Sequence, residues 1–156
     1  MADRVSASIV VGGHLPAASL TALIEVIQNE GLSTEWDGEL FDVSELPQGE
    51  PLRLMAHEVA WGRFEQLETF CIEKCLPFAR WSGAYPGQWG AERVVFTGSG
   101  EPLSYTADED DYVLMGRCTA ERLGSYAAIL AHFDAADLAV PSLMIGDVLP
   151  LEVARK

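Results

Sequence analysis

The spacing of apolar residues changes period several times along this chain, and each change predicts an element. Residues 4–12 are β-branched and partly alternating, and they end at Gly12-Gly13, which predicts a strand. Pro16 suits a first helical turn. Leu20, Leu23, Ile24 and Ile27 then fall at helical spacing before Gly31, so a helix is expected over 16–30. Residues 32–36 and 39–41 read as two short strands about the Asp37-Gly38 turn, and 44–49 as loop. A strand follows over 52–60. Phe64, Leu67, Cys71 and Cys75 form a stripe that predicts a helix over 62–75, stopped by Pro77. Further strands are expected at 78–81, 93–97, 103–106 and 112–115. A last helix is expected over 119–135, with Leu123, Tyr126, Ala127, Leu130 and Phe133 as its buried face. The tail from about 140 to 151 holds Pro141, Gly146 and Pro150 and reads as extended chain lying over the core.

This order predicts one α+β domain over residues 1–156. The expected architecture is a ferredoxin-like or split βαβ sandwich, with an antiparallel or mixed sheet and two or three helices on one face. Two βα units in series would instead give a partly parallel sheet.

Charge adds a second pattern. The net charge is -14, and its carriers are segregated. Between Arg4 and Arg53 stand eight acids and no base, and between Arg93 and Arg117 five acids and no base. Ten scattered Lys and Arg residues make no phosphate-binding patch, which argues against nucleic acid as a direct partner and against anionic membranes. No apolar run is long enough for a membrane span, and the N-terminus lacks the apolar stretch of a signal peptide. Cys71, Cys75 and Cys118 are odd in number and lack framework spacing, which fits free thiols in a reducing, cytoplasmic setting.

The most unusual local composition lies in 80–93. Trp81, Tyr85 and Trp89 recur every four residues, but Gly83, Pro86, Gly87 and Gly90 argue for a loop. Aromatic faces on a loop suit a binding patch, and Arg80 and Arg93 at its ends could pair with an anion or with the acids. The contrary reading folds the rings inward over the core edge. The acidic run Asp108, Glu109, Asp110 and Asp111 lacks the Gly and Glu of an EF-hand and reads as a solvated hairpin tip. Gly12-Gly13-His14 carries no phosphate-loop pattern and reads as a tight turn. Cys71 and Cys75 share the apolar stripe of their helix, so they read as core and not as zinc ligands. His57-Glu58 lacks the second His of a zincin, and Gly98-Ser99-Gly100 sits in an expected hairpin and not at a nucleophile elbow.

No cofactor or metal follows from these residues, and no catalytic constellation is supported. The functional expectation is a binding protein. Its acidic surface and the aromatic segment 80–93 would meet a basic protein or a second copy of the chain. An alternative is a small-ligand binder or enzyme with a pocket between the sheet and the 80–93 loop, where His57, Arg80, Arg93 and Asp111 would supply polar groups. A further alternative is a DNA-mimicking regulator that presents ordered rows of acids.

Overall fold

Period-two alternation is realised in strand β1 (Arg4–Val11), where Ala7, Ile9 and Val11 are buried and the residues between them are more exposed. The computed structural model describes residues 3–146. A short β2 (Gly13–Leu15) and a 3-10 turn at Ala17–Ser19 lead into helix α1 (Leu20–Asn29), which buries Leu23 and Ile27. Strand β3 (Leu52–Ala60) is followed by helix α2 (Glu65–Glu73), which buries Leu67, Phe70 and Cys71. Strands β4 (Phe78–Ser82), β5 (Glu92–Phe96) and β6 (Leu103–Thr106) come next. Helices α3 (Arg117–Leu123) and α4 (Tyr126–Ala136) and strand β7 (Leu143–Ile145) complete the described chain.

The architecture is α+β, built on a five-stranded antiparallel sheet in the order β3-β1-β4-β5-β6. Both β3 and β4 pair antiparallel with β1, so they run in the same direction on either side of it and are joined through α2. Register puts Val11, Phe78 and Phe96 in one row on one face. That face carries the main core, shared with Leu23 and Ile27 of α1 and Leu67 and Phe70 of α2. Each such large side chain contributes about 1.5–3 kcal/mol when fully buried. The opposite face carries a smaller cluster of Ala79, Val95 and Tyr105 under Ala136 of α4. Helices therefore cover both faces, not one, and the described residues hold four α-helices where two or three were expected.

The extra helix arises at Gly124. Its left-handed φ of 82° ends α3, and the Ser125 hydroxyl then accepts from the Ala128 amide at 3.1 Å to start α4. The expected buried face of the single helix is also not realised. Tyr126 is 75% exposed and Leu130 43%, and only Ala136 of α4 is buried.

The two expected strands about Asp37-Gly38 reduce to one bridge, Ser33 with Met55. Phe41 plugs into the core instead, and a capping box between Asp42 and Glu45 closes a 3-10 turn at Val43–Glu45. Likewise 112–115 makes only the bridge between Ala107 and Val113. The Asp108 carboxylate accepts from the Asp110 and Tyr112 amides and holds the tight turn that returns the chain to Thr106, where the Leu114 amide bonds its carbonyl. Gly13-His14-Leu15, expected as a turn, pairs in parallel with β7. The expected tail thus begins as a strand, and its part from 147 to 151 lies outside the described residues.

At the start of α2, Glu30 Oε2 accepts from the Gln66 and Leu67 amides at 2.9 and 3.3 Å. Burial raises the Glu30 carboxyl above its ordinary range despite those bonds, and neighbouring Glu68 and Glu65 push the same way. Cys71 is buried and Cys75 and Cys118 are exposed. Burial, reinforced by the Glu68 charge, holds the Cys71 thiol protonated. Titration with a chromogenic disulfide reagent is therefore expected to modify Cys75 and Cys118 in the native protein and Cys71 only on unfolding. Rapid native reaction of all three would contradict this placement.

Candidate aromatic groove

The end of β3 is shaped by two consecutive left-handed residues, Trp61 at φ 58° and Gly62 at φ 67°. The Gly62 amide donates to Val59 O at 3.1 Å and the Arg63 amide to Ala60 O at 3.2 Å, which closes the turn. Glycine is needed at 62 because a β-carbon there would lie 2.7 Å from the Ser82 β-carbon. At Trp61 the same conformation is borne by a bulky indole, which costs on the order of 1 kcal/mol. That indole is 53% exposed.

The segment 85–89 closes on itself. Tyr85 N donates to Trp89 O at 2.9 Å, and Gln88 N and Trp89 N donate back to Tyr85 O. Gly87 supplies the positive φ that this turn requires. The closure stacks the Tyr85 and Trp89 rings at 5.1 Å, and Trp89 meets Trp61 at 5.9 Å with a 41° tilt. Beside these rings lies a groove of about 490 Å³, bordered by Trp61, Arg63, Trp89, Glu92, Ser104 and Thr106.

Beneath the groove is a buried charge network. Arg80 is 2% exposed. Its Nε donates to Glu68 Oε2 at 3.0 Å, and its Nη1 donates to Ser82 Oγ at 3.1 Å and Glu92 Oε1 at 3.2 Å. Glu68 Oε2 also accepts the Phe64 amide at 2.8 Å, so the network reaches the start of α2. The Ser104 hydroxyl donates to Glu92 Oε2 at 2.5 Å. Burial pushes the Glu92 carboxyl up. The Ser104 hydrogen bond, the adjacent Arg80 and the nearby Arg63 charge outweigh it and hold the carboxyl below its ordinary range.

The residues singled out in the sequence fall into three places. Tyr85 and Trp89 join the aromatic row, with Arg80 sealed under the groove. Trp81 is half-buried, and its Nε1 donates to Asp108 O at 2.9 Å. Arg93 lies in the same row of the opposite sheet face. Its Nη1 donates to Asp111 Oδ2 at 2.8 Å and its Nε to Ala136 O at 2.7 Å, tying the acidic loop to the end of α4. Asp111 is raised by burial, which outweighs the Arg93 pairing, and its buried Oδ1 has no hydrogen-bond partner among the described residues. Glu109 accepts the Ala84 amide at 2.9 Å, and Asp110 is exposed. Among the described residues no three or more His, Cys, Asp or Glu side chains gather as metal ligands.

His57 occupies a separate cleft. Its Nδ1 lies 2.8 Å from Ser6 Oγ and its Nε2 3.5 Å from Asp37 Oδ1, with Trp36 stacked on the ring at 4.8 Å. The order Ser6, His57, Asp37 has the outline of a hydrolytic relay. The nearby Gly83 and Ala84 amides, however, are already taken by Ser6 O and Glu109, so neither is free to stabilise an oxyanion. Asp37 is also solvated, its side chain 84% exposed.

Trp61, Arg63, Glu92 and Ser104 were missed from sequence. The readable signal was Trp61-Gly62 at the end of a strand. The pairing of Glu92 with Ser104 depends on tertiary placement and had none. No protein-family model matches this chain, and no curated protein or solved structure matches it either.

Proposed function

We propose that this chain is a binding protein whose aromatic groove anchors a cationic side chain of a basic protein partner. The observation that carries this reading is the aromatic row, in which exposed Trp61 and half-buried Trp89 border the groove and half-buried Tyr85 stacks behind Trp89. Indole faces attract guanidinium and ammonium groups. The net charge of -14 would draw a basic partner from a distance. In this reading the chain acts as one α+β domain, and β3-α2-β4 around β1 is its ferredoxin-like, split βαβ element. The free thiols support a reducing compartment such as the cytoplasm.

A second reading, a small neutral ligand, is favoured by one observation. Arg63, Glu92, Ser104 and Thr106 surround the indoles with hydrogen-bonding groups in a volume typical of small-ligand sites. A DNA-mimic reading draws less support. Asp42, Glu45, Asp108 and Asp111 commit oxygens to internal hydrogen bonds and do not stand as a free row.

Titration with an acetylated oligo-arginine peptide, followed by tryptophan fluorescence, tests the proposal. Trp61→Ala and Trp89→Ala are each expected to weaken binding roughly 5- to 30-fold, with added salt weakening the wild type as well. Unchanged peptide affinity in the double variant would refute the cationic anchor. Saturable binding of a neutral disaccharide, lost in the same variants, would favour the second reading.

A further inference from the structure

We infer that the basic partner binds as an extended segment, which adds a strand to the free edge of β6 and turns its cationic side chains into the groove. This pairing rests on the groove reading above and adds to it the backbone conformation of the partner. β6 ends the five-stranded sheet and pairs there with β5 alone. The Ala107 amide donates to Ala91 O, in the register that sets Tyr105 against Arg93 and Leu103 against Val95. Antiparallel bonding alternates, so Leu103 and Tyr105 turn their backbone groups to β5, while Ser104 and Thr106 turn theirs outward. Thr106 O takes the Leu114 amide at 2.9 Å. The Ser104 N–H, the Ser104 carbonyl and the Thr106 N–H have no backbone partner on that outer side among the described residues. Both residues are exposed. Unpaired edge groups of this kind are a template for a further strand.

The same edge borders the groove. Ser104, Tyr105 and Thr106 all line it, although the Tyr105 ring packs with Ala79 and Val95 on the opposite sheet face. The backbone of β6 therefore forms this wall. In a pleated sheet, residues that come to lie opposite Ser104 and Thr106 share their face, which is the face of Glu92 and the groove. The residues between them fall beside Leu103, which is 55% exposed. The segment that fits alternates basic residues toward the groove with apolar residues toward Leu103.

Charge selects the occupant. β6 lies inside the stretch between Arg93 and Arg117, which holds five acids and no base. Glu101 precedes the strand and Glu109 and Asp110 follow it, all three exposed. The base that borders the groove, Arg63, follows β3 and does not stand on this edge. A second copy of β6 would bring the same acids edge to edge and be repelled, whereas a basic segment meets opposite charge at both ends of the strand.

An acetylated and amidated Arg-Val-Arg-Val-Arg peptide, followed by tryptophan fluorescence, tests the inference with the protein itself unaltered. Two further peptides carry backbone N-methyl groups, one on both valines and one on the central and last arginines. In an antiparallel pairing the arginine amides point at β6 and the valine amides point away. Methylated arginines are expected to weaken binding roughly 10-fold or more, and methylated valines about 3-fold or less. The reverse preference would support a strand added in the parallel sense. Amide exchange at Ser104 and Thr106 is expected to slow roughly 10-fold or more in the complex. Equal affinity of the two methylated peptides, or unchanged exchange at both amides, would overturn the added strand. Trp61→Ala and Trp89→Ala separate this contact from the groove. Affinity lost in those variants but indifferent to the site of methylation would leave the groove without the strand. A methylation preference kept at full affinity in the double variant would leave the strand without the groove.

Discussion

Arg80→Ala is expected to remove about 3–5 kcal/mol of folding stability, the usual cost of breaking a buried ion pair from one side. The guanidinium is sealed between Glu68 and Glu92, with Ser82 as a third acceptor. Without it, Glu68, whose side chain is 14% exposed, loses its charged partner, while Glu92 at the groove edge, 39% exposed, is partly relieved by water. Adding Glu68→Gln and Glu92→Gln to Arg80→Ala is expected to recover much of the loss, because the stranded charges are then gone. Urea denaturation measures both. An Arg80→Ala protein within about 1 kcal/mol of wild type would contradict the network. Its pH dependence follows from Glu92. Its carboxyl is lower when folded than when unfolded, so its share of stability is fully present above the ordinary glutamate pKa of about 4.5. That share fades as pH falls through the lowered folded value. Asp111 and Glu30, raised by burial, act in the opposite sense as acid relieves them. Comparison with Glu92→Gln isolates the Glu92 share: the difference between wild type and variant should shrink below about pH 4.

Gly12→Ala should also be costly, by about 3 kcal/mol. A β-carbon at Gly12 would lie 1.8 Å from the Pro141 carbonyl oxygen and 2.8 Å from its carbon. The obstacle is backbone, so no rotamer change relieves it. The segment before β7 must retreat. It then gives up the bond from Gly13 N to Ser142 O, the bond from Leu143 N to Glu50 O, and the burial of Leu143. Thermal unfolding, with amide exchange at Leu143 as a local probe, checks this. A melting temperature within about 2 °C of wild type would mean that the tail is not wedged against β1 as described.

The strands at 4–12, 52–60, 78–81, 93–97 and 103–106 were readable as short runs bounded by turn residues, alternating in β1 and apolar over consecutive residues in β4 and β5, which are covered on both faces. The alternation of faces along a strand would have placed Arg80. Phe78, Arg80 and Ser82 share parity, and Phe78 points into the core. Arg80 was grouped with Arg93 as a ligand arm, yet the two lie on opposite faces of the sheet. The β2-β7 pair was hidden because three-residue strands carry no period, and they meet across most of the chain. The 119–135 helix was misjudged for a different reason. Helical periodicity identifies an apolar face but does not say whether the chain itself covers it. The groove was half visible: Tyr85 and Trp89 stood out by composition. Trp61 joins them only because Gly62 lets the turn approach Ser82.

Position 61 sets durability against the shape of the groove. Glycine there would relax the backbone and give a sturdier molecule, though some of that gain would be returned through the greater freedom of its unfolded chain. The same replacement would strip the groove of one wall. Selection for thermal robustness alone would therefore wear the groove away, and a stabilised variant that keeps its indole at 61 would show that the wall itself was being preserved.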